Sequence, residues 1–463
     1  MKNLKLPNSF ILIFALLVAI AAMTWIIPGG KYESQVIAGK TLIDPQSFHQ
    51  VASTPQGLSA LFKAPIKGFV ESALIIGFIL IVGGAFSVLQ RTDAINALIK
   101  ALAKAHTNSK FVRAAIIPVF ILLFSLGGAT FGMAEETIPF ILIFVPLSLA
   151  LGYDSIIGVS IPFIGSQAGF AAAFLNPFNV GIAQGISGVQ IFSGIEYRFF
   201  VWVVITLAVI FYLQWYANRI KRFPQKSPTF KMDQQKREKL HLEKFHDFEG
   251  MTITHKLVLG SFFLTLSVMV VGVVSYHWYI EEIAALFFVM AILVGLMGRL
   301  NGDEFIAAFI HGAKDLVGTA LIIALARGTV ILAQEGHIID TMLHFLAPFV
   351  QSSSAVFSAQ KMFLIQSVIN FFIHSGSGQA ALTMPIMAPL ADLVGVTRQT
   401  AVLAFQFGEL STPLIPTSAI AIGALALANI PWVTWAKWII PLQLILTALA
   451  LLLLIPPCLF NWQ

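Results

Sequence analysis

Glu135 and Glu136 stand side by side in Ser125–Phe140, SLGGATFGMAEETIPF, between the apolar runs IIPVFILLF and ILIFVPLSLAL. A carboxylate at membrane depth binds a cation, carries a proton, or caps a helix start. Neighbours on a helix point about 100° apart, so one of the two is expected to face a cavity. Capping is the weaker reading, because the matching stretch of the second half, FFIHSGSGQAALTMPI, has Ala381 and Leu382 at those positions. The fold therefore does not demand an acid there.

Other polar residues gather at four interruptions of the apolar pattern. The first, GGATFGMAEE, holds Gly127, Gly128, Thr130 and Gly132. The second, HSGSGQA, holds Ser375, Gly376, Ser377, Gly378 and Gln379. The third, LNPFNVG, supplies Asn176, Pro177 and Asn179, and the fourth, STPLIPTSA, supplies Thr412, Thr417 and Ser418. Glycines let the chain turn and let a ligand approach the backbone. Half-helix N-termini favour anionic groups, and unwound carbonyls coordinate cations. Each residue alone is as well explained by capping; four interruptions in one symmetric set ask for a shared reason. Two more charges lie inside apolar runs: Glu409 in FQFGELSTPLIP and Arg327 in LIIALARGTVILA. Arg327 is expected either to bind a substrate carboxylate or to neutralise a glutamate, with a role in charge pairing or gating. His374 reads as a hydrogen-bonded tip residue before a metal ligand.

The elements that must hold these residues are membrane helices. Of 463 residues, 57% are hydrophobic and 11% charged, and apolar runs of about 20 residues, the length that spans a bilayer core, recur along the chain. The expected fold is an all-α polytopic membrane protein, multi-pass in a lipid bilayer. Expected spans are about 9–27, 68–90, 196–218, 256–276, 279–298, 312–333 and 433–456, with interrupted spans at about 154–190 and 398–428. Arms at about 111–126 and 137–150, and at about 358–373 and 381–395, flank the two tips. Arms of about 14–16 residues reach only about 21–24 Å, so the units at about 111–150 and 358–395 are expected to be re-entrant hairpins. The N-terminal run has the look of a signal peptide, but it is long for one and pairs with the span at 279–298.

The halves match in order: Gly84 with Gly328, Gln90 with Gln334 and Leu102 with Leu346 at an offset of 244, then Gly132 with Gly378 and Pro139 with Pro385. The expected organisation is a first repeat at 1–218, a basic loop and linking span at 219–278, and a second, inverted repeat at 279–463. Arg219 to Lys256 holds 10 Lys and Arg against 5 acids. That bias places the loop, and with it the N-terminus, in the cytoplasm, so the +6 net charge says nothing of nucleic acid. One cysteine, Cys458, makes no disulfide and fits no metal site. No catalytic motif appears, so no enzyme, no resident metal and no cofactor are expected. Inverted repeats with interrupted helices instead mark a secondary transporter of a small-molecule substrate, with Na+ or H+ as the coupling ion and Na+ placed at the hairpin tips. A channel is the less favoured reading.

At GGATFGMAEETIPF, LNPFNVGIAQG, SGSGQAALTMPIMAPLADLVGV and AVLAFQFGE, over almost the whole chain, the sequence resembles the YfcC-type basic amino acid antiporters. These are related to the anaerobic C4-dicarboxylate carriers of the DcuC type within the ion transporter superfamily. The resemblance implies two inverted repeats, each with a re-entrant hairpin and a broken helix, a homodimer, an elevator-like motion and a place in the bacterial inner membrane. It implies binding at Gly127–Glu136, Asn176–Asn179, Ser375–Gln379 and Thr412–Ser418. The residues lean toward a basic amino acid, as in arginine/ornithine antiport. Glu135, Glu136 and Glu409 would accept its side chain, and hairpin N-termini with Ser and Thr would meet its carboxylate. A C4-dicarboxylate or other short carboxylate is the alternative; it asks for two cationic or donor sites, and Arg327 alone reads as intramembrane and basic.

Overall fold

The computed structural model describes residues 9–37, 40–43, 47–239, 250–276, 278, 280–350 and 354–463. Lys2 and Lys5, and the 240–249 part of the basic loop, lie outside the described residues. Helix α1, Ser9–Ile26, is followed by two short antiparallel pairs: β1, Gly30–Lys31, with β4, His49–Gln50, and β2, Ser34–Ile37, with β3, Lys40–Ile43. The chain then forms α2, Leu58–Glu71, α3, Ala73–Arg91, and α4, Ala94–Asn108. The helix ahead of the second span thus begins ten residues before the expected 68. Lys63, Pro65 and Lys67 lie in it and read as loop, yet Ala64 and Gly68 give it a buried face.

Next come α5, Lys110–Phe131, and α6, Ile138–Ala150. Here the first arm of the expected hairpin is longer than the sequence suggests. The first arm is one helix of 22 residues, about 33 Å long, enough to cross the core. Ser125 and Gly128 do not end it, because α7, Ser155–Ala171, packs on that face. A Cβ on Gly128 would overlap the Ser166 carbonyl, and one on Gly169 would overlap the Ser125 carbonyl. The helix stops at Gly132, whose φ of +77° suits glycine. The chain continues through α8, Ile182–Ile186, α9, Ile195–Arg222, α10, Phe230–Lys239, α11, Ile253–Tyr276, and α12, Ile280–Met297.

The second half holds α13, Gly302–Asp315, α14, Val317–Glu335, α15, Ile338–Leu346, α16, Ala355–Ile369, α17, Gly376–Leu393, α18, Arg398–Gly408, α19, Ala419–Leu427, α20, Trp432–Leu453, and α21, Ile455–Leu459. Among the described residues, 8 helices are long and apolar enough to cross a membrane. The chain is an all-α polytopic membrane protein with two broken helices, α7–α8 and α18–α19. Every bound of α2 and α3 recurs in α13 and α14 at a displacement of 244 residues. The packing exchanges accordingly: α2 lies on α14 and α13 on α3, while α1 lies on α14 and α12 on α3. Small residues set the first crossing. Gly328 meets the Ala64 carbonyl and Gly68 meets the Ala324 carbonyl, so α2 and α14 run antiparallel. The hairpins match less closely. Gly132 ends a helix, whereas Gly378, its counterpart in the sequence, lies in the first turn of one.

Candidate functional site

Two breaks and two tips meet through named contacts. At break one, α7 ends at Ala171, and Asn176 opens the next helical turn as its cap. Its Oδ1 accepts from the N–H groups of Phe178, at 2.9 Å, and Asn179, at 3.2 Å. Pro177 follows at the first helical position, where its missing N–H costs nothing. Asn176 Nδ2 donates to the Gly128 carbonyl at 3.3 Å, and Leu175 N–H donates to the Ala129 carbonyl at 3.1 Å. Asn179 Nδ2 donates to the Phe170 carbonyl at 3.2 Å. Ser166 Oγ donates to the Met133 carbonyl. Tip one is therefore bound to break one, and a Cβ on Gly132 would stand 2.8 Å from Asn176 Oδ1.

Tip two lies between α16 and α17. Ser375 caps α17 by accepting from Gly378 N–H at 3.3 Å, with Ser377 Oγ 3.2 Å away. Ser375 and Gly378 are exposed and Gly376 is buried. A Cβ on Gly376 would lie 3.1 Å from the Phe170 ring, so tip two also borders break one. At break two, Thr417 Oγ1 donates to the Phe371 carbonyl at 2.7 Å, and Ser418 caps α19 through Ala421 N–H at 3.3 Å. The capping reading thus holds for Asn176, Ser375 and Ser418. Thr130 turns back on its own helix, donating to the Leu126 carbonyl at 2.7 Å, and Gly128 serves the α5–α7 contact.

The carboxylates behave differently. Glu136 is buried and its Oε2 accepts from Ala134 N–H at 2.8 Å. Glu135 is half-buried, and its charge reaches Glu409. Glu409 is 2% exposed. Its Oε2 accepts from Thr412 Oγ1 at 3.1 Å, and its Oε1 has no partner among the described residues. Among the described residues, no Lys, Arg or His forms an ion pair with any of the three. Asn370, at the end of α16, was not legible as a site residue. Its Nδ2 donates to Ser411 Oγ and Thr412 Oγ1, both at 2.9 Å, and faces the Gly408 carbonyl at 3.4 Å. A carbonyl only accepts, so the amide is oriented and Asn370 Oδ1 is the atom left without a partner. Gln379, fully buried, donates to Gln366 Oε1 at 2.8 Å and leaves its own Oε1 unpaired. Among the described residues, unpaired buried acceptors therefore outnumber donors around Gly408 and break two, where Gln366 Nε2 is an unpaired donor.

Arg327 fulfils one of its two expected roles with a glutamate the sequence reading did not single out. Its Nε donates to Glu71 Oε2 at 2.8 Å, with both side chains about two-fifths exposed. Its charge also reaches His374, whose Nδ1 lies 2.7 Å from the Asn370 carbonyl. Arg198 was missed as well: it is a fully buried arginine with no carboxylate paired to it among the described residues. On the far side, Asp233 and Lys236 of α10 dock at the start of α7 and the end of α19. Burial pushes Lys236 below the usual lysine value, and Asp233 opposes the shift.

The family model described as "C4-dicarboxylate anaerobic carrier", DcuC, matches residues 6–456. A protein of Escherichia coli (strain K12) named "Putative basic amino acid antiporter YfcC" is 36% identical over 94% of this chain and 93% of its own. An uncharacterized protein of Haemophilus influenzae (strain ATCC 51907 / DSM 11121 / KW20 / Rd) is 28% identical over 95% and 94%. Among solved structures, the Alcanivorax borkumensis YdaH transporter aligns over 98% of this chain and 99% of its own, with 15% identity and a TM-score of 0.43. Neisseria gonorrhoeae MtrF, of a class described as antimetabolite efflux pumps, covers 98% and 95%, with 16% identity and a TM-score of 0.44.

Proposed function

The chain belongs to the DcuC family of carriers, and from that premise we propose that it is a secondary transporter exchanging basic amino acids across the bacterial inner membrane. The observation that carries this reading is the imbalance at the site. Glu135 acts electrostatically on Glu409 and is acted on by Glu136, none of the three has a paired cation among the described residues, and Asn370 Oδ1 and Gln379 Oε1 add unpaired acceptors. Acceptors in excess of donors fit a solute that brings its own N–H groups and positive charge. The exposed start of α17, with Ser375 and Ser377, and the nearby Arg327 suit the solute's carboxylate. The name of the Escherichia coli relative points the same way.

The mechanism we infer is alternating access, elevator-like, in a homodimer. Two inverted repeats, 1–218 and 279–463, would carry the hairpins and broken helices. The N-terminus and the 219–256 loop would face the cytoplasm, and H+ or Na+ would serve if an ion is coupled. A second reading is a C4-dicarboxylate or other short carboxylate carrier. The family description favours it.

Proteoliposomes decide between them. Arginine uptake should rise when ornithine is loaded inside. Lysine and ornithine should compete from outside, and succinate and fumarate should not. Uptake blocked by the dicarboxylates would establish the second reading. Absence of arginine uptake under counterflow would sink the first.

A further inference from the structure

Arg198 lies one turn into α9 with no exposed surface. A positive charge near a helix N-terminus opposes the dipole, and a buried charge in a membrane is costly. Yet its hydrogen-bond partners among the described residues are neutral. Nη1 donates to Gln406 Oε1 at 2.6 Å, and Nη2 donates to Gln399 Oε1 at 2.8 Å. The guanidinium stacks over Trp462 at 5.2 Å, and Nε has no partner among the described residues.

Gln406 continues the chain of bonds. Its Nε2 donates to the Ala173 carbonyl at 2.7 Å. Ala173 lies just past the end of α7, where a helix leaves carbonyls without partners. An arginine only donates and a carbonyl only accepts. The Gln406 amide is therefore locked, with oxygen toward Arg198 and nitrogen toward Ala173. Break one is also held by Asn179 to Phe170, Leu175 to Ala129 and Asn176 to Gly128, by the Phe178 and Asn179 N–H groups on Asn176 Oδ1, and by Gly181 N–H on the Asn176 carbonyl.

We propose that Arg198 and Gln406 are positioning residues, a relay from α9 through α18 that fixes the backbone of break one and so the placement of Asn176 and Asn179. Arg198 touches no solute; its charge orients Gln406, and Gln406 holds the break. This inference rests on the reading of the breaks as part of the solute site.

Gln406→Glu separates the two bonds. It keeps an acceptor for Arg198, now with opposite charge, and removes the donor to Ala173. In the full chain reconstituted in proteoliposomes, half-saturation for arginine counterflow should rise about tenfold, the loss of one oriented bond. The maximal rate should stay within about twofold. Backbone amide exchange over 172–181 should quicken in the purified variant while the rest of the chain is unchanged. If the glutamate variant is not monodisperse, Gln406→Met carries the same expectations. Native half-saturation in a folded variant overturns the relay. Should the native chain take up no arginine, the functional reading fails, and the exchange experiment alone decides: native exchange over 172–181 then overturns it.

Discussion

Glu409 keeps one carboxylate oxygen on Thr412 and leaves the other unpaired, in a buried place with Glu135 nearby. Glutamine has the same shape and still accepts from Thr412, but it carries no charge. Glu409→Gln and Glu135→Gln should therefore lower arginine uptake at least tenfold, about the loss of one charge-assisted bond, with unchanged expression and melting. Glu136→Gln should be milder, because its Oε2 is spent on Ala134 N–H and an amide oxygen serves that bond too. Native uptake by both Glu135→Gln and Glu409→Gln would return these groups to the fold. The three acids were legible in the sequence because a carboxylate inside an apolar run has few neutral explanations. Which of the adjacent pair is a cap was not, since that depends on the turn at Gly132 and Ala134. Asn370 was hidden as one polar residue in INFFIH. Arg198 was hidden by position: near a span end it reads as interfacial, and only the packing of α18 and Trp462 over it reveals the burial.

At the scale of elements, the broken helices are tied at one end by α10. Asp233 accepts from Ser155 N–H at 2.9 Å, Ser155 Oγ at 2.5 Å and Thr229 Oγ1 at 2.7 Å, all at the start of α7 or beside it. Lys236 Nζ donates to Asp233 at 3.2 Å, Ser155 Oγ at 2.8 Å and the Ala428 carbonyl at 2.7 Å, at the end of α19. An acid thus meets a helix N-terminus and an ammonium meets a C-terminus, each with the favourable sign. Breaking such a buried pair costs about 3–5 kcal/mol because one charge is left alone. Thermal melts of the purified chain should show Asp233→Ala lowering Tm more than Lys236→Met, and the double variant falling less than the two effects combined. Additive shifts would mean that the two residues act apart. None of this was legible, since FKMDQQKREK is polar on every side and reads as loop. The spans were legible because apolar length is a direct consequence of bilayer thickness. The first hairpin arm was misjudged because small residues that look like a turn instead pack against α7.

For the whole molecule, the question is whether the halves run in opposite directions through the membrane. Each half has a helix pair with the same internal spacing, α2–α3 and α13–α14. Gly68 with Ala324 and Ala64 with Gly328 make α2 antiparallel to α14, and α13 leads into α14 with only Leu316 between them. A parallel duplication would place the starts of α2 and α13 on one face; an inverted one separates them by the bilayer. Ser59 and Asp303 are counterparts at the displacement of 244, and both are exposed. With Cys458→Ser as background, Ser59→Cys and Asp303→Cys can each be probed with a membrane-impermeant maleimide. Basic residues at the end of α9, Arg219, Lys221 and Arg222, make that end the expected cytoplasmic one. Counting spans from there, Ser59→Cys should react in intact cells and Asp303→Cys only after permeabilisation. Gln234→Cys on α10 should follow Asp303→Cys, since α10 comes directly after that end of α9. Equal reactivity of the first two in intact cells would make the repeats parallel. It would also remove the symmetry argument for a solute site between them, leaving the carboxylate cluster to stand on its own geometry.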